Sequence, residues 1–357
     1  MQGRSTGIVY GGLKYQARCI ADVRADTDQT CFLAGTLTLR EENEIHLIRL
    51  SPASAGVGVE LVCDGLFYHP SGEIWDLSSC PFNPRIFSVV FSSGETHGAT
   101  IWQIPELYGQ SNSPQLEELV SLDAHSSKIK RILWWPSGKH DKLISIDEEN
   151  LILWSIDSSA KTAKVQSKES VGVMHYLSGG TWDPHDRNSV VAICDSSVQC
   201  WDLRTMKKTN SIEHAHIRDA EYNPNKQHIL VTADDESGIH IWDLRMSKFP
   251  IRELPGHAHW TWAVRHNPEY DELILSAGTD SAVNLWLAPI TCGDDPTSES
   301  LVDSPTRQVD PLLHSYSDYE DSVYGISWSS REPWMFASLS YDGRVVVESV
   351  KSYIPKK

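Results

Sequence analysis

The amino-acid sequence predicts an all-β protein, a single seven-bladed β-propeller, from three observations. Five segments repeat one plan, in which an apolar run ends in x-Pro, a second β-rich run and an acidic turn follow, and a strand ends in Trp. Two landmarks in that plan recur at roughly 40–50 residues, a period typical of a four-stranded propeller blade. Apolar residues alternate inside each segment and the alternation breaks at turn residues, as expected for short strands.

The two landmarks locate five of the blades. The prolines that close the first run are Pro84, Pro136, Pro184, Pro224 and Pro268. The tryptophans that close the third run are Trp102, Trp154, Trp201, Trp242 and Trp286. Because both sets drift together along the chain, a true repeat with loops of varying length explains them best. The period and the closing tryptophan indicate blades of the WD40 type.

The cleanest copy, residues 256–286, predicts a hydrogen-bonded group inside its blade. Polar side chains in such a group relay to the indole N–H, so that a buried indole is not left unsatisfied. The expected members are His257, Ser276, Asp280 and Trp286. A His-Ser-Asp hydrolase triad is the alternative. The same layout recurs from His125 to Trp154, which argues against the triad because a catalytic centre would not repeat in every blade.

Two outer copies are degenerate, as terminal repeats often are. Residues 320–350 place Glu348 where Trp would stand, and residues 8–50 contain plausible strands at 11–18, 30–36 and 44–50 without a closing Trp. The seven blades, all in one domain spanning 1–357, are predicted near 8–62, 72–122, 125–168, 173–213, 214–254, 257–316 and 320–354. Either residues 352–354 or an N-terminal segment could supply the last outer strand, which closes the ring.

Two loops interrupt the repeat. Residues 105–115 and 289–310 are rich in Pro, Ser, Gly and Asp, so both are expected to be exposed and flexible. The second is an acidic loop that contains Thr297 and Ser304-Pro305, which a kinase could phosphorylate. An unmodified loop is the alternative, because Ser-Pro is common in flexible segments.

Composition disfavours two classes of partner. The chain has 31 Lys and Arg against 48 Asp and Glu, a net charge of -17, and no basic run, so we expect no nucleic-acid partner. An acidic surface also disfavours anionic lipid, and no segment is apolar over the ~18 residues of a membrane span, so we expect no direct membrane insertion. The 7 cysteines form no Cys-x-x-Cys pair, which indicates the cytoplasm or nucleus, where thiols remain reduced.

Motifs for catalysis and metal binding are weak. A phosphate-binding glycine-rich loop with Lys and a His-Glu-x-x-His pair are missing from the sequence. Residues 158–161 fit Ser-x-x-Lys, but without its companion motifs. The His-Ala-His segments 214–216 and 257–259 suggest metal ligands, yet each opens a blade, where a structural His is expected. We therefore expect no enzyme activity, no cofactor and no metal.

Two third strands end in the same tetrapeptide. Trp201-Asp202-Leu203-Arg204 and Trp242-Asp243-Leu244-Arg245 both read Trp-Asp-x-Arg. Residues 230–245 also contain small, acidic and apolar residues at Thr232, Ala233, Glu236, Ile239 and Ile241. This segment resembles the DWD box of propellers that dock onto the damaged-DNA-binding-protein adaptor of cullin-4 ubiquitin ligases. Residues 189–204 match only in part, since Ser189 replaces an apolar residue and Val191 a small one.

The DWD-box resemblance implies roles for the six residues of these strand ends. In that family the Arg projects from one rim, where its planar fork can bridge to carboxylates or carbonyls. The resemblance makes Arg204 and Arg245 the adaptor contacts. Asp202 and Asp243 would orient them, and Trp201 and Trp242 would hold the strand ends. The alternative is that Asp and Arg only stabilise the end of the strand.

Segments from the whole chain resemble one family, the EARP- and GARP-complex-interacting WD-repeat proteins. They are residues 11–21, 72–82, 259–286 and 328–346, of which the last departs most from the general WD40 pattern. The likeness to plant members, which includes 1–19 and 228–245, implies a substrate receptor of a cullin-4 ligase and a negative regulator of abscisic acid signalling. The animal members imply an alternative, an accessory protein of EARP and GARP tethering complexes at the cytosolic face of the trans-Golgi and endosomes.

Overall fold

The computed structural model describes residues 7–39, 42–53, 58–70, 72–94, 96–105, 115–136, 141–172, 179–194, 197–214, 216–236, 238–290 and 310–354. Within these ranges the chain forms 28 strands, which pair into seven four-stranded antiparallel sheets. The described part of the chain includes no helix that could span a membrane. The seven sheets are the blades of a β-propeller, so the predicted fold class is confirmed.

The strands follow one another along the chain, blade by blade. The chain starts with β1 (Ile8–Tyr10). Blade 1 contains β2 (Ala17–Asp22), β3 (Cys31–Thr36), β4 (Asn43–Pro52) and β5 (Val59–His69). Blade 2 contains β6 (Glu73–Ser79), β7 (Ile86–Ser93), β8 (Thr96–Gln103) and β9 (Glu117–Ser121). Blade 3 contains β10 (Ile129–Trp134), β11 (Lys142–Asp147), β12 (Asn150–Asp157) and β13 (Thr162–Ser170).

The second half of the ring has the same plan. Blade 4 contains β14 (Gly180–Trp182), β15 (Ser189–Cys194), β16 (Ser197–Asp202) and β17 (Lys207–Glu213). Blade 5 contains β18 (Ile217–Tyr222), β19 (Ile229–Asp234), β20 (Ile239–Asp243) and β21 (Arg252–Leu254). Blade 6 contains β22 (Thr261–His266), β23 (Leu273–Gly278), β24 (Ala282–Leu287) and β25 (Leu312–Tyr316). Blade 7 contains β26 (Val323–Trp328), β27 (Met335–Ser340) and β28 (Val345–Ser349).

The first strand of each blade is the innermost one. Each of these seven strands contacts the first strand of the next blade, and β26 contacts β2, so the inner wall is continuous around the ring. The apolar core lies between blades, in clusters that each combine neighbouring sheets. Phe32 and Phe336, for example, lie on second strands and are fully buried. A blade therefore buries both faces only because it has a neighbour on each side.

The ring closes through the N-terminal segment, one of the two alternatives that the sequence left open. β1 pairs antiparallel with β28, with Ile8 opposite Val347 and Tyr10 opposite Val345. It is the outer strand of blade 7, so residues 8–10 do not belong to blade 1 as the predicted range 8–62 had it. Residues 11–16 link the two blades, because the buried alternation of the first strand begins only at Ala17. Blade 1 correspondingly extends to the end of β5.

His266 lies at the end of β22 and makes the fold sensitive to acid. It is only 4 % exposed, and burial lowers the pKa of its imidazole from 6.5 to about 4. An unfolded chain takes up a proton near pH 6.5 while the folded chain does so only near pH 4. The contribution of neutral His266 is therefore complete above pH 6.5 and is lost as pH falls towards 4.

We expect the protonation of His266 in the unfolded chain to lower the free energy of unfolding by about 2–3 kcal/mol when the pH falls from 7 to 4.5. In urea unfolding at both pH values, His266→Phe should lose that part of the pH dependence because it cannot take up the proton. His259→Gln, a change of an exposed histidine, should keep the wild-type dependence. If the free energy of unfolding changes with pH equally in wild type and in His266→Phe, this assignment is contradicted.

Candidate functional site

A buried relay of four side chains occupies blade 6. His257 Nδ1 lies 2.9 Å from Asp280 Oδ1 and His257 Nε2 lies 2.7 Å from Ser276 Oγ. The indole Nε1–H of Trp286 donates to the same Ser276 Oγ at 2.8 Å. The serine hydroxyl can then donate to Nε2, and the Nδ1–H of the imidazole to the carboxylate, so every polar atom of the relay has a partner.

The geometry of this relay gives it a structural role. Ser276 is fully buried, so a substrate could not reach its hydroxyl as a hydrolase triad would require. Burial works against the charged form of Asp280, but the hydrogen bond and charge of His257 outweigh it and hold the pKa of that carboxyl below its usual value. Blade 3 repeats the arrangement, with His125 2.8 Å from both Asp147 Oδ2 and Ser145 Oγ.

Removing the shared acceptor of blade 6 should destabilise the protein. Ser276→Ala leaves the Trp286 N–H and the His257 ring buried without their partner, at an expected cost of about 1–3 kcal/mol in the free energy of unfolding. Ser126→Ala, a change of an exposed serine, should stay within about 0.5 kcal/mol of wild type. Chemical denaturation followed by tryptophan fluorescence measures both. A Ser276→Ala variant as stable as the control would show that the relay contributes nothing.

Blade 5 contains a variant of the relay with a second histidine. Trp242 Nε1 donates to Thr232 Oγ1 at 2.9 Å. His214 Nε2 lies 2.9 Å and His240 Nδ1 3.0 Å from the same oxygen of Asp234, and these three ligand atoms lie within 4.8 Å of one another. Two imidazoles and a carboxylate are ligand types that zinc accepts. His216, the other histidine of the His-Ala-His segment 214–216, is not part of this group and lies 3.8 Å from Glu236 Oε1.

No sequence motif indicated that His240 belongs to that group. Its neighbour Asp234 uses its other oxygen, Oδ1, to accept hydrogen bonds from the backbone N–H groups of Glu236 and Gly238. Asp234 therefore shapes the turn between β19 and β20 as well as contacting the two histidines. The hydrogen bonds of the blade account for the position of each side chain except His240, whose buried Nδ1 lies 3.0 Å from Asp234 Oδ2 but not in the geometry of a hydrogen bond.

The two Trp-Asp-x-Arg turns have the same geometry on neighbouring blades. Nε and Nη2 of Arg204 each donate to a different carboxylate oxygen of Asp202 at 3.0 Å. In Arg245 the corresponding distances to Asp243 are 3.0 and 2.7 Å. The backbone N–H of each Arg donates to its own Asp at 2.9 Å, so the Asp fixes both the turn and the guanidinium. These bonds hold the pKa of both aspartates below the usual value.

Both arginines remain open to solvent on the far side of the fork. The Arg204 side chain is 67 % exposed and that of Arg245 is 53 % exposed. A hydrogen bond from Asn210 Nδ2 to the carbonyl of Leu244, at 2.6 Å, links β17, the strand after the first turn, to the second turn. We call the surface formed by Arg204, Arg245 and their aspartates the arginine rim.

Exposed apolar residues extend the arginine rim, and sequence reasoning missed them. Met246 is 68 % exposed and Phe249 is 78 % exposed, both in the loop that follows β20. An apolar residue in a loop is equally consistent with a buried anchor, so only the structure shows that these side chains face solvent. Large exposed apolar groups beside a held arginine are typical of protein interfaces.

The structure corrects the comparison between the two copies of the box. When the two segments are aligned by counting back from the tryptophan, Ser189 corresponds to Leu230 and Val191 corresponds to Thr232. Strand pairing instead puts Val190 opposite Trp201 just as Leu230 lies opposite Trp242, because the turn in blade 4 is one residue shorter. The equivalents of Leu230 and Thr232 are therefore Val190 and Ala192.

The corrected pairing makes the first copy apolar and small where the box requires it. Ala192 has no hydroxyl, however, so the buried Nε1 of Trp201 has no hydrogen-bond partner among the described residues. Trp242 has one in Thr232. The two loops singled out in the sequence, 105–115 and 289–310, lie mostly outside the described residues.

Comparison with known proteins supports the family resemblance. The family described as EIPR1 beta-propeller matches residues 4–286, and the WD domain, G-beta repeat family matches residues 310–347. The WD repeat-containing protein DWA2 of Arabidopsis thaliana is 66% identical over 357 residues and covers 100% of both chains. The EARP-interacting protein homolog of Gekko japonicus is 33% identical, and EARP and GARP complex-interacting protein 1 of Homo sapiens is 32% identical, each over 96% of both chains.

These matches cover nearly the whole chain, and they coincide with the seven blades and with the resemblance seen in the sequence. The protein is thus a WD40 propeller scaffold, and it belongs to the EIPR1 β-propeller family.

Proposed function

We propose that this non-catalytic scaffold presents a protein substrate to a cullin-4 ubiquitin ligase. The arginine rim would bind the damaged-DNA-binding-protein adaptor of that ligase. The observation that carries the proposal is the matched pair of turns, in which two adjacent blades each hold an exposed Arg by a bidentate bond to its own Asp. In this role the protein would be a negative regulator of abscisic acid signalling and would work in the cytoplasm and nucleus.

The rigidity of the rim supports a docking role. A guanidinium already held by its carboxylate loses less side-chain freedom when a partner binds. Both side chains are more than half exposed, so carbonyl or carboxylate oxygens of a partner could approach the guanidinium groups of Arg204 and Arg245. Buried arginines are common hot spots of interfaces.

Charge and apolar surface favour the same place. The chain has a net charge of -17, so two exposed arginines at neighbouring strand ends contrast with the overall acidity of the protein. Met246 and Phe249 add apolar area next to Arg245, and their burial by a partner would exclude water from the charged contacts. The combination fits a partner surface that offers oxygen acceptors around an apolar patch.

A second function is supported by the relatives. Proteins named as EARP- or GARP-interacting align with 96% of this chain, so their similarity covers the propeller as a whole. In that role the protein would be an accessory subunit of tethering complexes at the cytosolic face of the trans-Golgi and endosomes. The arginine rim makes no specific contribution to this alternative.

Direct binding separates the two functions. The purified chain is immobilised, and the purified adaptor and a purified EARP complex are passed over it in separate runs. The adaptor should bind saturably under the cullin-4 proposal. Saturable binding of the EARP complex with no response from the adaptor would reject the receptor role and favour the tethering role.

A further inference from the structure

The innermost strands share an irregularity that neither partner proposal uses. Six of the seven first strands contain a β-bulge at the same position, where one residue is skipped in the pairing with the second strand. The skipped residues are Arg18, Trp75, Lys130, Arg218, Trp262 and Tyr324. A bulge turns the extra side chain away from the regular face of its sheet.

All six bulge residues meet at one end of the central channel. They line a single cavity of about 170 Å³, which we call the channel mouth. Each bulge lies at the start of a first strand, which pairs with the end of the second strand, as Ile217 does with Asp234. The arginine rim lies at the opposite edge of the blades, because Asp243, at the end of the third strand, pairs with Ile229, at the start of the second. The two surfaces are therefore on opposite faces of the ring.

The six bulge residues provide the channel mouth with cations and aromatic faces, and the carboxylates of Asp76 and Asp219 also line the cavity. The guanidinium carbon of Arg18 lies 4.4 Å from the ring centre of Tyr324, 5.3 Å from that of Trp75 and 5.8 Å from that of Trp262. The corresponding carbon of Arg218 lies 5.3 Å from Trp262. Cation–π contacts of this length hold a charge in place without neutralising it.

Arg18 differs from the other cations of the mouth. Lys130 pairs with Glu148 at 3.0 Å, Arg218 pairs with Asp235, and Arg131 and Arg265 both pair with Asp219. The Nε of Arg18 is buried and has no hydrogen-bond partner among the described residues. A buried donor without an acceptor is destabilising, and a ligand that supplies an acceptor recovers that loss.

We propose that the channel mouth binds an acidic peptide segment of a partner protein, with one Asp or Glu carboxylate on Arg18 and a neighbouring apolar or aromatic residue on Trp75, Trp262 or Tyr324. A carboxylate would supply the acceptor that the buried Nε of Arg18 lacks among the described residues. The ring faces around it provide the apolar contact, as expected for a small site with few polar groups. This inference does not depend on which protein occupies the arginine rim.

A randomised eight-residue peptide display library, selected on the full chain, tests the proposal. The selected peptides should be enriched in Asp or Glu next to Phe, Tyr or Trp. Their affinity, measured by fluorescence anisotropy, should fall about tenfold or more in Arg18→Gln, which keeps the length of the side chain and removes its charge. Arg187→Gln is the matched control: it changes an exposed arginine in the turn between β14 and β15, on the opposite face of the ring, and should bind the same peptides as wild type.

Several outcomes would overturn the proposal. They are a selection without acidic residues, unchanged affinity in Arg18→Gln, and equal binding when Asp or Glu in the peptide is replaced by Asn or Gln. Tighter binding, by about tenfold, of a peptide with phosphoserine at the acidic position would overturn the carboxylate assignment. If Arg18→Gln does not fold by circular dichroism, Trp262→Leu takes its place with the same expected loss, and unchanged affinity there is equally contradictory.

Discussion

Deleting residues 1–12 is expected to lower the free energy of unfolding by about 3 kcal/mol or more. The deletion removes β1, which supplies the outer strand of blade 7 and joins the two ends of the chain. Its backbone hydrogen bonds to β28 are lost, and Val345 and Val347, both buried, become part of an open sheet edge. An edge of that kind also invites pairing with a second molecule.

The junction between the last blade and the first would weaken as well. β1 contacts β5 of blade 1, and the hydroxyl of Tyr10 lies 2.7 Å from His46 Nδ1 on β4. Tyr10 also packs against the apolar cluster that the two blades share. The strand therefore supports two sheets at once, which is why a three-residue element has so large an expected effect.

Deletion of residues 1–6 is the matched control, since it shortens the chain and leaves β1 intact. Urea denaturation compares the three proteins, and size-exclusion chromatography shows whether the longer deletion self-associates. The control should unfold like the full chain. If both deletions unfold at the same urea concentration, the ring is stable without its N-terminal strand and this account of closure is wrong.

The sequence predicted the inner strands of the ring because their pattern is local. One blade contains both the apolar run before Pro268 and the strand that includes Trp286. The alternation of apolar and polar residues that predicts each of them is visible within a short segment of sequence. Ring closure could only be left open, because β1 and β28 come from opposite ends of the chain. Nothing local distinguishes Ile8-Val9-Tyr10 from a strand of blade 1.

The bulges and the relay of blade 5 were not predictable for a related reason. A bulge adds one residue to a strand without breaking its apolar pattern, so Arg18 and Trp262 look like ordinary outward-facing positions. The turn in blade 4 is one residue shorter than the turn in blade 5, so Val190 and Ala192 occupy the positions that a direct sequence alignment assigns to Ser189 and Val191. The strand pairing shows this shift, but the sequence alone does not. His240 reaches Asp234 only because both project from paired strands.

The candidate site was more accessible to prediction than the channel mouth. Arg204 and Arg245 follow a tryptophan at fixed spacing, and a strand that ends at a buried Trp brings the next residues to the surface. The exposure of Met246 and Phe249 depends instead on the path of the following loop. The adaptor contacts therefore stay a prediction that rests on the two arginines, with the apolar residues as an addition from the structure.

Replacing both arginines in Arg204→Ala, Arg245→Ala is expected to weaken adaptor binding roughly 100-fold or more, since an interface arginine that acts as a hot spot contributes about 2 kcal/mol or more. The stability of the propeller should change little, because both side chains are more than half exposed. Each single variant should show an intermediate loss. Biolayer interferometry with the purified adaptor gives the dissociation constants, and circular dichroism with thermal melting checks the fold.

Two further variants give this experiment its specificity. Arg331→Ala removes an exposed arginine of blade 7, whose Nε donates to the carbonyl of Thr27. Arg331 lies on the same face of the ring as the arginine rim but in a different blade, so this variant should bind the adaptor like wild type. Arg204→Lys, Arg245→Lys keeps both charges but cannot form the planar two-point contact, so it should bind far more weakly than wild type. Full binding by the lysine variant would mean that charge alone suffices, and full binding by the alanine variant would remove the arginine rim from the adaptor interface. A loss of the adaptor with retention of the EARP complex would show that the two partners use different surfaces, because only the adaptor contact is assigned to these two side chains.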